Sequence, residues 1–103
     1  MSDLRTINVN NIDKLLGKIE LIDIREPYEY EEKRIETAKN IPMYDLLDDP
    51  EEYLDKSKEY HIICEAGRRS LIAAMELNEL GFNIVNVSGG TGGYNGKRIK
   101  IFK

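Results

Sequence analysis

The sequence predicts an α/β domain with a mostly parallel central sheet. Three observations carry that prediction. Short apolar runs of strand length alternate with segments of helical spacing. Glycine and proline punctuate the joins between them. No linker, internal repeat or low-complexity tract interrupts the 103 residues, a length that suits one domain and rules out two. Strands and helices in alternation imply parallel neighbours joined by right-handed crossovers.

The elements follow in order. Asn10 and Asn11 can cap a helix that carries Ile12, Leu15 and Leu16 on one face, with Gly17 as its stop. Ile19 to Ile24 reads as a strand. Glu26–Pro27 to Glu32 reads as a short helix with proline in its first turn. Ala38 to Ile41 forms a brief strand that Pro42 ends, and Tyr44 to Leu54 gives one or two helical turns around Asp48–Asp49–Pro50. Tyr60 to Cys64 is a second clear strand. The longest helix runs from Arg69 to Leu80. Its apolar residues Leu71, Ile72, Ala73, Ala74, Met75, Leu77 and Leu80 surround much of the circumference, which predicts a substantially covered helix. Gly81 stops it, and Ile84 to Val87 is a third strand ended by Gly89–Gly90.

Composition narrows the function classes. Hydrophobic residues make up 41% and charged residues 33%, as in an ordinary globular chain. Fifteen Lys and Arg stand against 19 Asp and Glu, a net charge of −4 that argues against nucleic acid as a partner. The acid concentrates in Glu26–Glu32 and Asp45–Glu59, whereas Lys97, Arg98, Lys100 and Lys103 make the other end basic. Residues 1–10 lack a basic-then-apolar leader pattern, and no apolar run nears the ~20 residues of a membrane span. One cysteine, Cys64, allows no internal disulfide, so the expected location is the cytoplasm. One cysteine and one histidine fall short of a zinc ligand set, and no cofactor motif is present.

Chemistry concentrates at Cys64-Glu65-Ala66-Gly67-Arg68-Arg69-Ser70. In an open parallel sheet, ligands bind beyond the carboxyl ends of the strands, which is where this loop falls. A loop leading into a helix N-terminus turns backbone N–H groups inward and favours an anion. Gly67 lets the backbone curl, Arg69 can clamp an anion, and Ser70 can cap the helix or donate to the sulfur. A thiolate beneath a small oxyanion pocket results. Taken alone, a cysteine at a strand end is most often a small buried hydrophobe. Glu65 opposes the thiolate unless it points to solvent. Arg68 suits an exposed role in partner docking. Asp23 and Arg25 share a strand face at the same sheet edge and read as a buried ion pair that orders the loops, with Arg25 adding to the anion field. His61 lies three residues before Cys64, on the opposite face of the strand, and so does not serve it as a base. Gly89 to Gly96 holds five glycines and reads as a turn-rich wall for the Cys64 pocket.

The run Cys-x-x-Gly-x-Arg-Ser at Cys64–Ser70 resembles the active-site loop of the rhodanese-like sulfurtransferases. Leu21-Ile22-Asp23-Ile24-Arg25-Glu26-Pro27-Tyr28-Glu29-Tyr30, Ala38-Lys39-Asn40-Ile41-Pro42, Leu80-Gly81-Phe82 and Val87-Ser88-Gly89-Gly90 are similar to further motifs of that family, in the same order. The likeness spans about Ile7 to Tyr94. It implies a single rhodanese-like domain over residues 1–103, with helices on both faces of the sheet. It also implies that Cys64 takes a sulfane sulfur from a small donor such as thiosulfate. The resulting persulfide would pass its sulfur to cyanide or a thiol, a protein thiol included. Loop residues Glu65, Ala66, Gly67, Arg68, Arg69 and Ser70 would bind the substrate anion, supported by Asp23 and Arg25. The six-residue loop from Cys64 to Arg69 is one residue shorter than in related phosphatases. That length disfavours the phosphatase or arsenate-reductase-like alternative.

The sequence departs from the family where Lys33-Arg34-Ile35-Glu36-Thr37-Ala38 replaces a Gly-His-Ile-x-Gly-Ala pattern, and where Tyr94 stands for tryptophan. Glu65 and the altered Lys33–Arg34 segment motivate a second alternative, a non-enzymatic interaction or regulatory module on the same fold.

Overall fold

The computed structural model describes residues 4–102. Met1–Asp3 of the stretch searched for a leader, and Lys103 of the basic cluster, lie outside them. The central sheet holds five parallel strands: β1 (Arg5–Asn8), β2 (Glu20–Asp23), β4 (Lys39–Asn40), β5 (Glu59–Ile63) and β6 (Asn83–Ser88). Their spatial order is β1-β6-β5-β2-β4. After β2 the chain moves outward to β4, and after β5 it moves the other way to β6. The carboxyl ends of β2 and β5 therefore flank the switch point of the sheet, where ligands settle in this architecture. A separate antiparallel ribbon pairs β3 (Lys33–Ile35) with β7 (Ile99–Ile101).

Side-chain alternation along the strands divides the core into two layers. On one face Ile22, Ile24, Ile62, Cys64 and Ile84 pack with Ala73, Ala74 and Leu77 of α4 (Arg68–Glu79). Leu46 of α2 (Met43–Asp48) and Leu54, just after α3 (Pro50–Tyr53), complete that layer. On the other face Leu21, Ile63 and Val87 pack with Val9, Ile12, Leu16, Ile35 and Tyr94. Tyr30 of α1 (Pro27–Glu32) packs against this second layer.

Several elements differ from the sequence reading. The segment after β1 is two 3-10 turns, Val9–Asn11 and Asp13–Leu15, rather than one α-helix. Its cap is Asn8, whose side chain accepts from the Asn10 N–H, and not Asn10 or Asn11 themselves. Gly17 does end the segment, with φ +89°. Helix α4 is less covered than its composition suggests. Leu71, Ile72, Met75 and Leu80 are exposed, because the sheet takes only the Ala73–Ala74–Leu77 stripe.

At the Lys33–Ala38 departure, Lys33–Ile35 pairs with β7, and the turn that follows holds Thr37 at φ +72°. That region is costly for a β-branched residue. Thr37→Gly is expected to raise stability by about 0.5–1 kcal/mol, the relieved strain exceeding the added chain entropy of glycine. Urea unfolding of the two proteins measures the difference. Tyr94 is fastened at its ring tip: its hydroxyl donates to Asp13 Oδ1 at 2.7 Å and accepts the Arg98 N–H at 2.9 Å.

Candidate active site

Strand β5 delivers Cys64 to the sheet edge with its side chain 1% exposed. The loop then turns back on itself through Gly67, which adopts φ +97° as the residue preceding α4. That turn directs two backbone donors at the sulfur. The Gly67 N–H lies 3.1 Å from Sγ and the Ser70 N–H 3.3 Å. The thiol in turn lies 3.4 Å from Ser70 Oγ, as donor to it. Ser70 is in the first turn of α4 rather than at its cap, and its hydroxyl also reaches the Gly67 carbonyl at 3.3 Å. Donors fixed on one atom before any substrate arrives stabilise negative charge there without reorganisation.

A second loop closes over the first. Thr91 N–H donates to the Cys64 carbonyl and Gly92 N–H to the Glu65 carbonyl, each at 2.8 Å. Gly90 has φ +66° and lies so close that a Cβ would stand 2.6 Å from the Cys64 carbonyl oxygen and nearer still to that of Glu65. The glycine-rich segment is thus the wall expected of it.

Asp23 and Arg25 form the anticipated buried pair. Arg25 is 2% exposed, and its Nε and Nη2 donate to the Asp23 carboxylate at 2.8–3.1 Å. Its Nη1 donates to Glu65 Oε1 at 3.1 Å, and its Nη2 donates also to the Lys33 carbonyl at 2.6 Å. Burial works against the guanidinium charge, but the bond and charge of Asp23, together with the charges of Glu65 and Glu29, outweigh it and hold the Arg25 pKa above its ordinary value.

Arg69 sits at the loop's far end with both Nη atoms on Glu29, at 3.0 and 3.2 Å. That bond is the main cause holding the Glu29 carboxyl below its ordinary range. Glu29 is the site residue that reading along the chain does not single out. Strands β2 and β5 lie side by side, and Glu29 and Arg69 belong to the helices that follow them. Arg68 and Ala66 are exposed on the loop. Glu65 is half-buried, turned onto Arg25 rather than into open solvent.

His61 is buried on the face opposite Cys64, and its Nδ1 has no hydrogen-bond partner. Burial pushes its pKa below the ordinary 6.5. The unfolded chain therefore takes up a proton at a higher pH than the folded one. Stability is fully present above about pH 6.5 and is lost as pH falls through the folded value. Denaturant midpoints measured between about pH 7.5 and 5.5 should show this decline. The decline should be shallower in His61→Leu. Among the described residues no group of His, Cys, Asp or Glu is placed to hold a metal ion, and no helix is long and apolar enough to cross a membrane.

A parallel α/β sheet whose switch point presents a buried cysteine to two converging backbone N–H groups defines a cysteine-loop α/β domain. Comparison with known proteins makes the class specific. The rhodanese-like domain family matches residues 8–97, and the chain belongs to that family. It is 46% identical over 79 residues to the Bacillus subtilis protein named "Putative sulfurtransferase YtwF", covering 75% of this chain and 74% of the relative. It is 35% identical over 85 residues to the tRNA sulfurtransferase of Mannheimia succiniciproducens, but spans only 17% of that longer protein. The solved rhodanese-related protein of Thermoplasma volcanium superposes with a TM-score of 0.84 at 32% identity, over 95% of this chain and 99% of the other.

Proposed function

We propose that this protein is a cytoplasmic sulfurtransferase that carries sulfane sulfur as a persulfide on Cys64. The observation that carries this reading is the pair of N–H groups from Gly67 and Ser70 converging on Sγ. In the first step the Cys64 thiolate attacks the sulfane sulfur of the donor. A new S–S bond forms at Sγ, the donor's S–S bond breaks, and its electron pair leaves with sulfite (from thiosulfate) or with a thiolate (from a persulfide). In the second step an acceptor, cyanide or a thiolate, attacks the outer sulfur and the Cys64 thiolate returns. Splitting the transfer in two lets one fixed donor set serve both steps. The N–H groups stabilise the sulfur while it is charged, and Arg25, Arg69 and Glu65 set the field around it. Arg68 and Ala66, exposed on the loop, face the incoming partner.

The test is intact mass after incubation with thiosulfate and, separately, with glutathione persulfide. The wild type gains one sulfur atom, which cyanide removes, and Cys64→Ser gains none. Sulfur gained by Cys64→Ser would overturn the assignment. A competing reading, a regulatory module without turnover, draws on both arginines being engaged by carboxylates. No mass gain with either donor would favour it.

A further inference from the structure

The sheet face that carries Cys64 is covered by α4 and α2, and the two helices leave an open groove between them. Two recesses follow one another along it. The first, of about 490 Å³, is lined by Glu26, Met43, Tyr44, Leu47, Asp48 and Arg69. The second, of about 270 Å³, is lined by Leu47, Glu76, Glu79 and Leu80. Leu47 belongs to both, so the recesses are continuous. Spacing by three and four puts Ile72 on the same flank of α4, between Arg69 and Glu76.

Apolar side chains and acid meet along this groove. Tyr44 is 80% exposed, and Ile72, Met75 and Leu80 each keep about half of their surface in solvent. One exposed apolar side chain is ordinary, whereas a contiguous set beside a concave surface marks an interaction site. The lining carries the carboxylates Glu26, Asp48, Glu76 and Glu79 against one guanidinium, Arg69, which Glu29 already holds. Residues 43–53, which form the α2 side, add Asp45, Asp49, Glu51 and Glu52 and include no Lys or Arg. Arg68 and Lys56 stand at the two ends, in the first turn of α4 and beside Gly81. The acidic field reaches Tyr53, whose phenol is held above its ordinary pKa by partial desolvation first and then by the charges of Asp45, Glu52, Asp49 and Asp48.

We infer that the α2–α4 groove docks a basic amphipathic helix of a partner protein, with two apolar anchors seven residues apart and Lys or Arg on its flanks. A groove between two helices suits a helical occupant. From Arg69 to Glu76 helix α4 advances about 10 Å, two turns, which matches anchors at i and i+7. The acidic rim selects basic flanks and repels acidic ones. Arg69 closes the Cys64 loop as well as lining the first recess, so a docked helix lies beside that loop. A second copy of this chain is the weaker occupant. Its basic end, Lys100-Ile101-Phe102, is exposed, but seating that end in the groove of another copy is a head-to-tail contact that does not close on itself. Arg34 also covers the Phe102 ring.

The probe is a fluorescein-labelled synthetic helix with two leucines seven residues apart on one face and lysines on both flanks. Binding is read by anisotropy, beside one peptide with glutamate for each lysine and another with alanine for each leucine. The wild type is expected to bind the first peptide and neither control. Ile72→Ser and Glu76→Lys are each expected to weaken binding by about tenfold. Both positions are exposed, so the fold tolerates them, and thermal unfolding checks this. Glu20→Lys makes the same charge change at an exposed position on β2 and is expected to alter affinity little. Cys64→Ser is expected to bind like the wild type, which separates docking from sulfur chemistry. Absence of binding, equal binding of the glutamate peptide, or equal weakening by Glu20→Lys and Glu76→Lys would overturn the inference and leave the Cys64 assignment untouched. Concentration-dependent self-association in sedimentation, lost in Ile72→Ser, would also overturn it and give the groove to a second copy.

Discussion

Asp23→Ala is expected to destabilise the protein by about 3–5 kcal/mol, because it leaves a buried guanidinium without its main counter-charge. Arg25 is 2% exposed and gives Asp23 three of its side-chain bonds, while Asp23 also accepts the Arg25 backbone N–H at 3.0 Å. Glu65 and the Lys33 carbonyl remain as partners, but they answer only the outer end of the group. Asp23→Asn retains the acceptors' shape and should lose less. The double replacement Asp23→Ala with Arg25→Leu should recover part of the loss, since the cost lies in the orphaned charge. Guanidinium unfolding of the four proteins measures each step. Equal loss in the single and double variants would place the cost in packing instead of charge.

Gly90→Ala carries the second large effect, about 3–5 kcal/mol with loosening of the Cys64 loop. Two causes add. The backbone at φ +66° and ψ −175° is one that side chains rarely enter, and the new methyl would collide with the carbonyls of Cys64 and Glu65. Those are fixed backbone atoms, so neither can turn aside. Gly93→Ala, in the same segment but with open space at its Cβ position, is the control and should change stability little. Thermal unfolding and the rate of thiol alkylation read the two consequences separately: Gly90→Ala should unfold earlier and expose Cys64 faster.

Much of this architecture is legible in the chain. Strands β2, β5 and β6 announce themselves as apolar runs because both their faces are buried. Helix α1 is marked by Pro27, and the stop after α4 by Gly81. The elements that escape have other causes. Strand β1 alternates Arg5, Thr6, Ile7 and Asn8, with a single apolar side chain, because it is an edge strand. The β3–β7 ribbon joins residues more than 60 positions apart, and nothing local in Lys33-Arg34-Ile35 specifies Ile99-Lys100-Ile101. Local pattern places the loop around Cys64 because its function is written in adjacent residues. It misses the Arg69–Glu29 bond because that joins two helices forty residues apart in the chain. The residue type of Arg69 suits an anion clamp, and nothing beside it in the chain signals its pairing with Glu29.

The ribbon has a bearing on when the site becomes complete. The Lys33 carbonyl that receives Arg25 belongs to β3, and β3 is held by Ile99–Ile101 and by Arg34 sandwiched between the Tyr30 and Phe102 rings. A two-stranded ribbon has little stability of its own. During synthesis the five-stranded sheet can close as soon as Ser88 has emerged, whereas the scaffold around Arg25 must wait for Phe102. A ribosome-bound chain would thus hold a folded sheet and a cysteine in its loop before the electrostatic surroundings of that cysteine were finished.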